Sequence, residues 1–518
     1  MVDGTVTRHS LAGMTNRHGI DGSFTALPYR RMAESALTRA QDFNVSHADF
    51  RFERIRSQHV RVRDGRLQGA ADSEDVGFSV RVILDGAWGF ASGVGLSTEV
   101  AVGVAETAVR AAQVAAAMTT RPVALAPEPA YDDVEWVSAY EIDPLAVPLD
   151  EKVDLLADWS ARLLASDGVE HSTGALSQVV ENKFYADLAG TTTTQQRVRL
   201  EPDFEVHGTN ATTGAFDSMR TIAPPVGRGW EYLTDGYDWD TALGELPGLL
   251  AQKLAAPTVD AGHYDLVIHP SNLWLTIHES IGHATELDRA LGYEANYAGT
   301  SFATVDHLGT LQYGSPVMNV TGDRTMRHGL ATIGYDDEGV ATQSWDIVKD
   351  GVLVGYQLDR PMAQMMPELN GGRSNGCAYA DSPGHIPIQR MANVSLQAAP
   401  DGPSTEELIG RVDRGIYVVG DRSWSIDMQR YNFQFTGQRF YRIENGRLAG
   451  QLRDVAYQAT TTDFWNSMEA VGGPGTWELG GAFNCGKAQP GQVASVSHGC
   501  PTSLFRDVNV LNTTAEAG

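Results

Sequence analysis

Cysteine and basic residues are scarce in this sequence of 518 residues, and each scarcity excludes a class of protein. The three cysteines, Cys377, Cys485 and Cys500, are too few for a disulfide framework, so we expect a reducing compartment. Lysine and arginine total 39 against 65 acidic residues, which gives a net charge of -26. Because nucleic-acid binding needs a basic surface, this balance argues against a nucleic-acid-binding protein.

Long apolar runs are also absent from the sequence. No run of about 18 apolar residues predicts a membrane-spanning helix. The first residues, MVDGTVTRHSLAGMTNRHGIDG, lack the apolar core of a signal peptide. We therefore expect a cytoplasmic protein with no membrane segment. The length and the 42% hydrophobic composition favour a large core and more than one domain.

Hairpin turns and amphipathic segments along the chain predict an α+β fold. We expect an N-terminal hairpin-and-helix domain followed by a β-rich C-terminal domain that carries one functional helix. The predicted parts are a flexible N-terminal arm at 1–27, an N-terminal α+β domain at 28–125, a middle α+β segment at 126–258 and the C-terminal domain at 259–518. Two-residue turns are predicted at Asp64-Gly65, Asp85-Gly86, Asp350-Gly351 and Asn445-Gly446.

The stretch TIHESIGHATELD, at 276–288, holds His278, Glu279 and His283. In the zinc-protease motif H-E-x-x-H the histidines are four apart and share one helix face. Here they are five apart, and on a regular α-helix they would differ by about 140°, too far to reach one ion. A π-bulge would return both side chains to one face, and Gly282 would make that distortion cheap. A metal site therefore requires a widened helical turn here.

Ser271 as N-cap and Gly292 as stop predict one helix of roughly 20 residues around the motif. Glu279, beside the first histidine, would take a proton from a metal-bound water and pass it to a leaving amine. A catalytic zinc ion needs three protein ligands and an open position. From the residues alone, the third ligand stays open between Cys485, Cys500 and His498. The alternative is a buried, hydrogen-bonded histidine pair in a core helix.

Five segments resemble the TldD/PmbA family, which is named for a proposed role in modulating DNA gyrase. They are HESIGHATELD, AGTS at 298–301, YDDEG at 335–339, SNGCAYADSPGHIPIQRMAN and FNCGKAQPGQ, in the same order as in TldD. The resemblance extends from about residue 35 to about residue 510. Because the chain keeps the H-E-x-x-x-H motif, which the partner branch TldE (PmbA) lacks, it resembles the TldD branch.

This resemblance implies a zinc metallopeptidase that matures or degrades short or unfolded peptides, with one zinc ion per chain. His278 and His283 match the zinc histidines, Glu279 matches the catalytic glutamate, and Cys485 matches the third, thiolate ligand. TldD-like proteins pair with TldE-like proteins and enclose the site in a chamber. The resemblance therefore implies a dimer, either with such a paralogue or with itself.

Two further groups of residues are candidates for supporting roles. Glu286 and Asp288 stand where the family also places acids, and they could orient a ligand histidine or form a solvated acidic face. Gly299, Thr300 and Ser301 of the AGTS segment could line the peptide site, although a plain turn fits the same composition.

Three functions fit the sequence. The first is a zinc peptidase with Glu279 as general base, and its peptide could add to a strand edge through main-chain hydrogen bonds. The second is a zinc amidohydrolase that uses the same residues on a small biosynthetic intermediate. The third is a non-catalytic partner subunit of a TldD/TldE-type complex. The intact set of His278, Glu279, His283 and Cys485 argues against the third.

Overall fold

The computed structural model of the protein describes residues 18–514, which form a mixed α+β fold with a β-rich C-terminal half. The helices are α1 (Gly22–Thr25), α2 (Tyr29–Gln41), α3 (Thr98–Ala116), α4 (Leu149–Leu164), α5 (Glu231–Thr234), α6 (Trp239–Ala255), α7 (Pro270–Ile277), α8 (Leu287–Ala290), α9 (Arg360–Met365), α10 (Thr405–Ile409) and α11 (Thr461–Asn466). The strands of the first half are β1 (His47–Arg63), β2 (Arg66–Leu84), β3 (Ala87–Gly93), β4 (Val134–Val137), β5 (His171–Asp187), β6 (Thr192–Thr209) and β7 (Phe216–Arg220). Those of the second half are β8 (Gly262–Ile268), β9 (Val320–Asp323), β10 (Ser344–Lys349), β11 (Val352–Leu353), β12 (Ala378–Tyr379), β13 (Ile388–Gln389), β14 (Asn393–Leu396), β15 (Arg414–Ile426), β16 (Asn432–Glu444), β17 (Arg447–Leu452), β18 (Val455–Thr460), β19 (Met468–Val471), β20 (Glu478–Lys487), β21 (Gln492–Cys500) and β22 (Ser503–Asn512). The predicted fold class is confirmed.

A seven-stranded sheet organises the first half, with the order β3-β2-β1-β5-β6-β4 and β7 beside β6. The four predicted two-residue turns are confirmed, because both residues of each have the positive φ that such turns require. Since β1 pairs with both β2 and β5, one sheet takes strands from the predicted parts 28–125 and 126–258. The division between these parts stays a prediction.

Part of the predicted flexible arm is packed against the first sheet. Residues 1–17 of the arm lie outside the described residues. Gly22–Thr25 forms α1, which Asp21 caps, and the ring of Phe24 is fully buried. Because Phe24 stacks on Tyr29 at 5.0 Å between ring centroids, this end of the arm is held in the core.

The second half is built on a ring of strands in the order β15-β8-β22-β18-β16, which the pairing of β15 with β16 closes. β8 runs directly into α7, and all eight residues of α7 are buried. The Asn272 side chain of α7 donates to the carbonyls of Gly420 and Thr436, and Thr276 shares a hydrogen bond with Tyr457. These bonds fix α7 against the ring of strands, so the residues that follow it start from a rigid base. No helix within residues 18–514 is long and apolar enough to cross a membrane.

A buried ionic cluster joins the first sheet to the second half of the chain. The Lys183 ammonium of β5 lies 2.8 Å from Asp337, 3.2 Å from Glu53 of β1, and 2.8 Å from the Ala380 carbonyl. Burial lowers the pKa of Lys183, but the carboxylates around it outweigh burial and raise the pKa overall. The cation is therefore retained inside the protein, where it bridges residues from both halves.

Replacing Lys183 with methionine removes the charge and keeps the length of the side chain. We expect Lys183→Met to lower the free energy of unfolding by about 3 kcal/mol, because Glu53 and Asp337 lose a buried counter-charge. Urea unfolding followed by tryptophan fluorescence measures the change.

The control is Arg162→Met, which breaks an ion pair with Asp240. The Arg162 side chain is 48% exposed and the Asp240 side chain is 86% exposed. We expect a loss of no more than about 1 kcal/mol, because water screens exposed pairs. Equal losses in the two variants would contradict a stabilising role for the Lys183 cluster.

Candidate metal centre

The two motif histidines lie at the two ends of a π-helical turn. The α-helical part ends at Ile277, and His278–Gly282 forms the π-helix. The His283 N–H donates to the His278 carbonyl at 3.0 Å, which is the bond from residue i to residue i−5 that defines this turn. The widened turn predicted from the spacing is confirmed. It brings the two imidazole centroids within 4.7 Å of each other.

The predicted helix of roughly 20 residues is wrong at its start and in its continuity. The N-cap is His269, whose ring accepts from the Ser271 N–H at 3.2 Å. After the π-turn the helix stops, and only the four-residue α8 follows. The cause is a bridge to Gln357, which exchanges backbone hydrogen bonds with residues 285 and 287 and removes those groups from a helix.

A third donor reaches the π-turn from β20. β20 pairs with β21, and a bulge between Ala482 and Cys485 re-aims the strand. The Cys485 Sγ lies 3.7 Å from the His283 Nε2. One ligand atom each from His278, His283 and Cys485 lies within 4.8 Å of the others, and all three residues are buried. Two imidazoles and one thiolate are a donor set that zinc and similar ions accept, so these residues fit a metal ion.

His498 controls the orientation of His278. Its Nδ1–H donates to the Val394 carbonyl at 2.7 Å, which leaves Nε2 as an acceptor. His278 Nδ1 lies 2.7 Å from that Nε2 and therefore donates to it. Burial lowers the pKa of both rings, which keeps them neutral. The Nε2 lone pair of His278 is then free for a metal, and His498 lies behind His278, outside the group of three donors.

A carboxylate and a lysine orient the second histidine in the same way. His283 Nδ1 lies 2.9 Å from Glu286, and Lys487 lies 3.3 Å from Glu286 and 2.8 Å from Asp288. Burial would raise the pKa of Glu286, but Lys487 and His283 outweigh it and hold that pKa well below its usual range. Burial raises the pKa of Asp288 despite Lys487. Both acids are buried, so a solvated acidic face does not describe them.

The other two cysteines lie outside this group. Cys500 is fully buried and its thiol contacts the Pro270 carbonyl at 3.7 Å. Burial raises its pKa well above the usual range, which disfavours a thiolate. Burial also raises the pKa of Cys485, but His283 outweighs this and lowers it overall. Cys377 is fully buried and contacts the Asn375 side chain at 3.3 Å.

Glu279 lies at the wall of a cleft of about 690 Å³ that also contacts all three donors. The cleft lies between the first sheet, through residues such as Glu201, and the second half, through residues such as Trp424. One Glu279 oxygen pairs with the Arg430 guanidinium. Sequence reasoning missed Arg430, because it lies 151 residues away on a hairpin tip that carries no motif.

The AGTS residues do not line this cleft. The Thr300 N–H donates to the Met428 carbonyl at 2.8 Å, and the Ser301 hydroxyl donates to the Ala284 carbonyl at 2.6 Å. Gly299 has φ of 95° and lies against the Met428 carbonyl. These contacts join the end of the π-turn to the hairpin that carries Arg430, and they support a structural role instead of direct contact with a peptide.

Two domain models of one protein family match the chain, one in each half. The PmbA/TldA metallopeptidase C-terminal domain matches residues 261–512, and PmbA/TldA metallopeptidase domain 1 matches residues 48–118. The chain belongs to the PmbA/TldD family. The family is one of metalloproteases by name, and the TldD homologues among its relatives agree with the branch that the motif indicated.

Individual relatives are distant in sequence. A metalloprotease of Methanocaldococcus jannaschii is 26% identical over 456 residues, which cover 88% of this chain and 94% of the relative. A zinc metalloprotease TldD homologue of Saccharolobus solfataricus is 26% identical over 280 residues, covering 54% of this chain and 58% of the relative. A Thermotoga maritima structure, described as a candidate modulator of a DNA gyrase, has a TM-score of 0.73 at 17% identity, covering 93% of this chain and 100% of its own. That likeness shows the shared fold.

If His498 orients His278, its replacement should weaken metal binding without removing a ligand. We expect His498→Phe to bind zinc, used as the probe ion, about 10- to 100-fold more weakly, because the His278 Nδ1–H loses its acceptor. Competition with a chromophoric zinc chelator measures the affinity.

The control for this variant is His263→Phe, because the His263 side chain is 60% exposed and pairs only with Asp507 among the described ion pairs. Its zinc affinity should equal that of the parent protein. An unchanged affinity in His498→Phe would show that His278 is oriented by other contacts.

Proposed function

We propose that the protein is a zinc-dependent metallopeptidase that hydrolyses peptide bonds in short or unfolded peptides. The observation that carries the proposal is the convergence of His278, His283 and Cys485 beside Glu279 at the wall of one cleft. The metalloprotease names of the family and its relatives support the same reaction class. Peptide maturation or degradation in the cytoplasm is part of this proposal.

One zinc ion per chain would be held by His278 Nε2, His283 Nε2 and Cys485 Sγ. Three protein ligands leave a fourth position for substrate. When bound there, a zinc ion would supply polarisation of the scissile carbonyl and a lowered pKa for the attacking water. The chain supplies the matching protonation states, because Nδ1 of each histidine donates to a neighbour and the pKa of the thiol is lowered.

Glu279 is the proposed general base. It is 5% exposed, so its carboxylate is largely shielded from bulk solvent at the wall of the cleft. Burial would raise its pKa, but positive charge at the site, which includes the Arg430 guanidinium, outweighs burial and lowers the pKa overall. The carboxylate is therefore ionised and ready to accept a proton from the attacking water. It would then deliver that proton to the leaving amine.

The edge of β20 opposite β21 is the proposed binding site for the peptide. Among the strands of residues 18–514, β20 pairs with β21 alone, and residues 479–486 of β20 line the cleft. An extended peptide could add to that edge through main-chain hydrogen bonds and pass Cys485. Main-chain recognition predicts weak sequence preference. Trp274 and Phe483 line the same cleft and would contact apolar side chains.

A dimer, with a TldE-like paralogue or with a second copy, is also part of the proposal. Trp424, Met428 and Tyr297 are 52%, 55% and 59% exposed. Trp424 lines the cleft, and Met428 lies on the hairpin that carries Arg430. Large exposed apolar side chains near a cleft are typical of subunit contacts. A second subunit there would enclose the site.

The identity of the thiolate ligand can be tested by metal content. We expect about one zinc ion per chain in the purified protein and none retained in Cys485→Ala, because a catalytic zinc ion needs three protein ligands. Cys500→Ala, which removes a buried thiol outside the donor group, should keep its zinc. Elemental mass spectrometry measures all three proteins.

Loss of zinc from Cys500→Ala and not from Cys485→Ala would reverse the ligand assignment. Absence of zinc from the parent protein, even after zinc is supplied, would favour the non-catalytic partner subunit.

The role of Glu279 can be separated from metal binding. We expect Glu279→Gln to keep its zinc and to lose cleavage of short unstructured peptides by at least about 100-fold, because the amide cannot accept the proton. Mass spectrometry of the products measures cleavage. Glu444→Gln, which changes a carboxylate that is 51% exposed, should cleave at the parent rate.

Full cleavage by Glu279→Gln would exclude it as general base. A parent protein that hydrolyses small amides and no peptide would favour the amidohydrolase function.

A further inference from the structure

Arg430, which also lines the cleft, makes an ion pair with Glu279. It lies in the hairpin tip 427–431, between β15 and β16. Its guanidinium contacts Glu279 Oε2, and its side chain is 15% exposed. Within residues 18–514, no hydrogen bond is made by the other oxygen, Oε1, and Glu279 lines the cleft. One carboxylate oxygen is thus held while the other is left for the cleft.

The backbone at Arg430 is held in an uncommon conformation. Its φ is 64°, in the left-handed region that residues other than glycine seldom adopt. The Asp427 carboxylate accepts from the N–H groups of Gln429 and Tyr431 at 3.1 and 2.8 Å. The Thr461 hydroxyl donates to the Arg430 carbonyl at 2.7 Å. Such conformations persist where surrounding contacts impose them, and they concentrate at functional sites.

The segment 299–302 braces this hairpin tip from the side of the π-turn. Thr300 and Phe302 donate their N–H groups to the Met428 and Gln429 carbonyls at 2.8 and 2.9 Å. The same segment is anchored to the residue after His283 by the Ser301 hydroxyl. The π-turn and the Arg430 hairpin tip therefore share one set of supports.

Gly299 is the residue at which this segment lies directly against the Met428 backbone of the hairpin tip. Its φ is 95°, and a Cβ placed there would lie 2.2 Å from the Met428 carbonyl oxygen. Any side chain at position 299 must therefore push the hairpin tip away. A residue that contacts neither the donor group nor the cleft thus controls where Arg430 lies.

We propose that Arg430 is a positioning residue for Glu279 and that the segment 299–302 is the brace that sets its place. The proposal rests on the proposed peptidase function, in which Glu279 is the general base. Arg430 fixes Oε2 so that Oε1 is presented to the attacking water. Its planar guanidinium gives this contact a direction that a lysine ammonium does not have.

The first experiment compares Arg430→Ala, Arg430→Lys and the control Arg442→Ala, which breaks an exposed pair with Glu444. We expect Arg430→Ala to lower kcat about 10- to 100-fold, because a small misplacement of a catalytic group has an effect of that size. KM for a short peptide, zinc content and thermal stability should stay near the parent values. Arg430→Lys should recover part of kcat, and Arg442→Ala should equal the parent.

The second experiment tests the brace with Gly299→Ala. The control is Gly450→Ala, because Gly450 has φ of 97° and no heavy atom within 4 Å of the added Cβ. Both variants place a side chain at nearly the same positive φ, but only the first displaces the hairpin tip. We expect Gly299→Ala to lower kcat with unchanged zinc content. In the double variant with Arg430→Ala, the losses should not add, since both act through one contact.

Three results would overturn the proposal. An unchanged kcat in Arg430→Ala would remove the positioning role, and a raised kcat would make Arg430 a latch that restrains Glu279. Loss of zinc together with kcat would make its role structural. If the parent protein cleaves no peptide, the proposed function fails by itself. The positioning role is then decided by crystal structures, where Glu279 should take one orientation in the parent and several in Arg430→Ala.

Discussion

One backbone hydrogen bond, from the His283 N–H to the His278 carbonyl, is the constraint on which the candidate site depends. A regular α-helix would set these side chains about 140° apart. The extra residue in the turn therefore decides whether both imidazoles can reach the same ion. A widened turn disturbs the normal helical bonding of nearby carbonyls. The Gly282 carbonyl accepts from the Gln357 side chain at 2.7 Å, so the protein satisfies that group and keeps the turn.

The strand β20 meets the π-turn with two side chains that have different tasks. Cys485 and Lys487 are two apart, so they face the same side of the strand, and both are buried. Cys485 faces His283 directly, while Lys487 fixes the Glu286 carboxylate that orients the same ring. The register of β20 at the sequence C-G-K therefore places two groups at once. It places the Cys485 thiol beside His283 and the Lys487 ammonium beside the Glu286 carboxylate. A shift of β20 by one residue would remove both at once.

Much of this arrangement could be predicted from the sequence because it follows local rules. The Asp-Gly and Asn-Gly turns impose their own φ values, and the five-residue spacing permits few helical geometries. The remaining features depend on contacts between distant segments. Arg430 carries no local signal of its pairing with Glu279, and His498 lies 220 residues from the ring it orients. The break in the motif helix also carries no local signal, because the bridge to Gln357 replaces helical bonds that local propensity favours.

The separation of the donors along the chain has a thermodynamic consequence. His283 and Cys485 are 202 residues apart, and β20 forms a two-stranded sheet with β21 in the described part of the chain. An ion bound between them acts as a cross-link from the buried π-turn to this small hairpin. Binding free energy is then also folding free energy, concentrated on β20 and β21. Metal binding would therefore suppress local opening of the β20–β21 hairpin far more than it would suppress unfolding of the first sheet. A change in metal supply would then change the order of this hairpin.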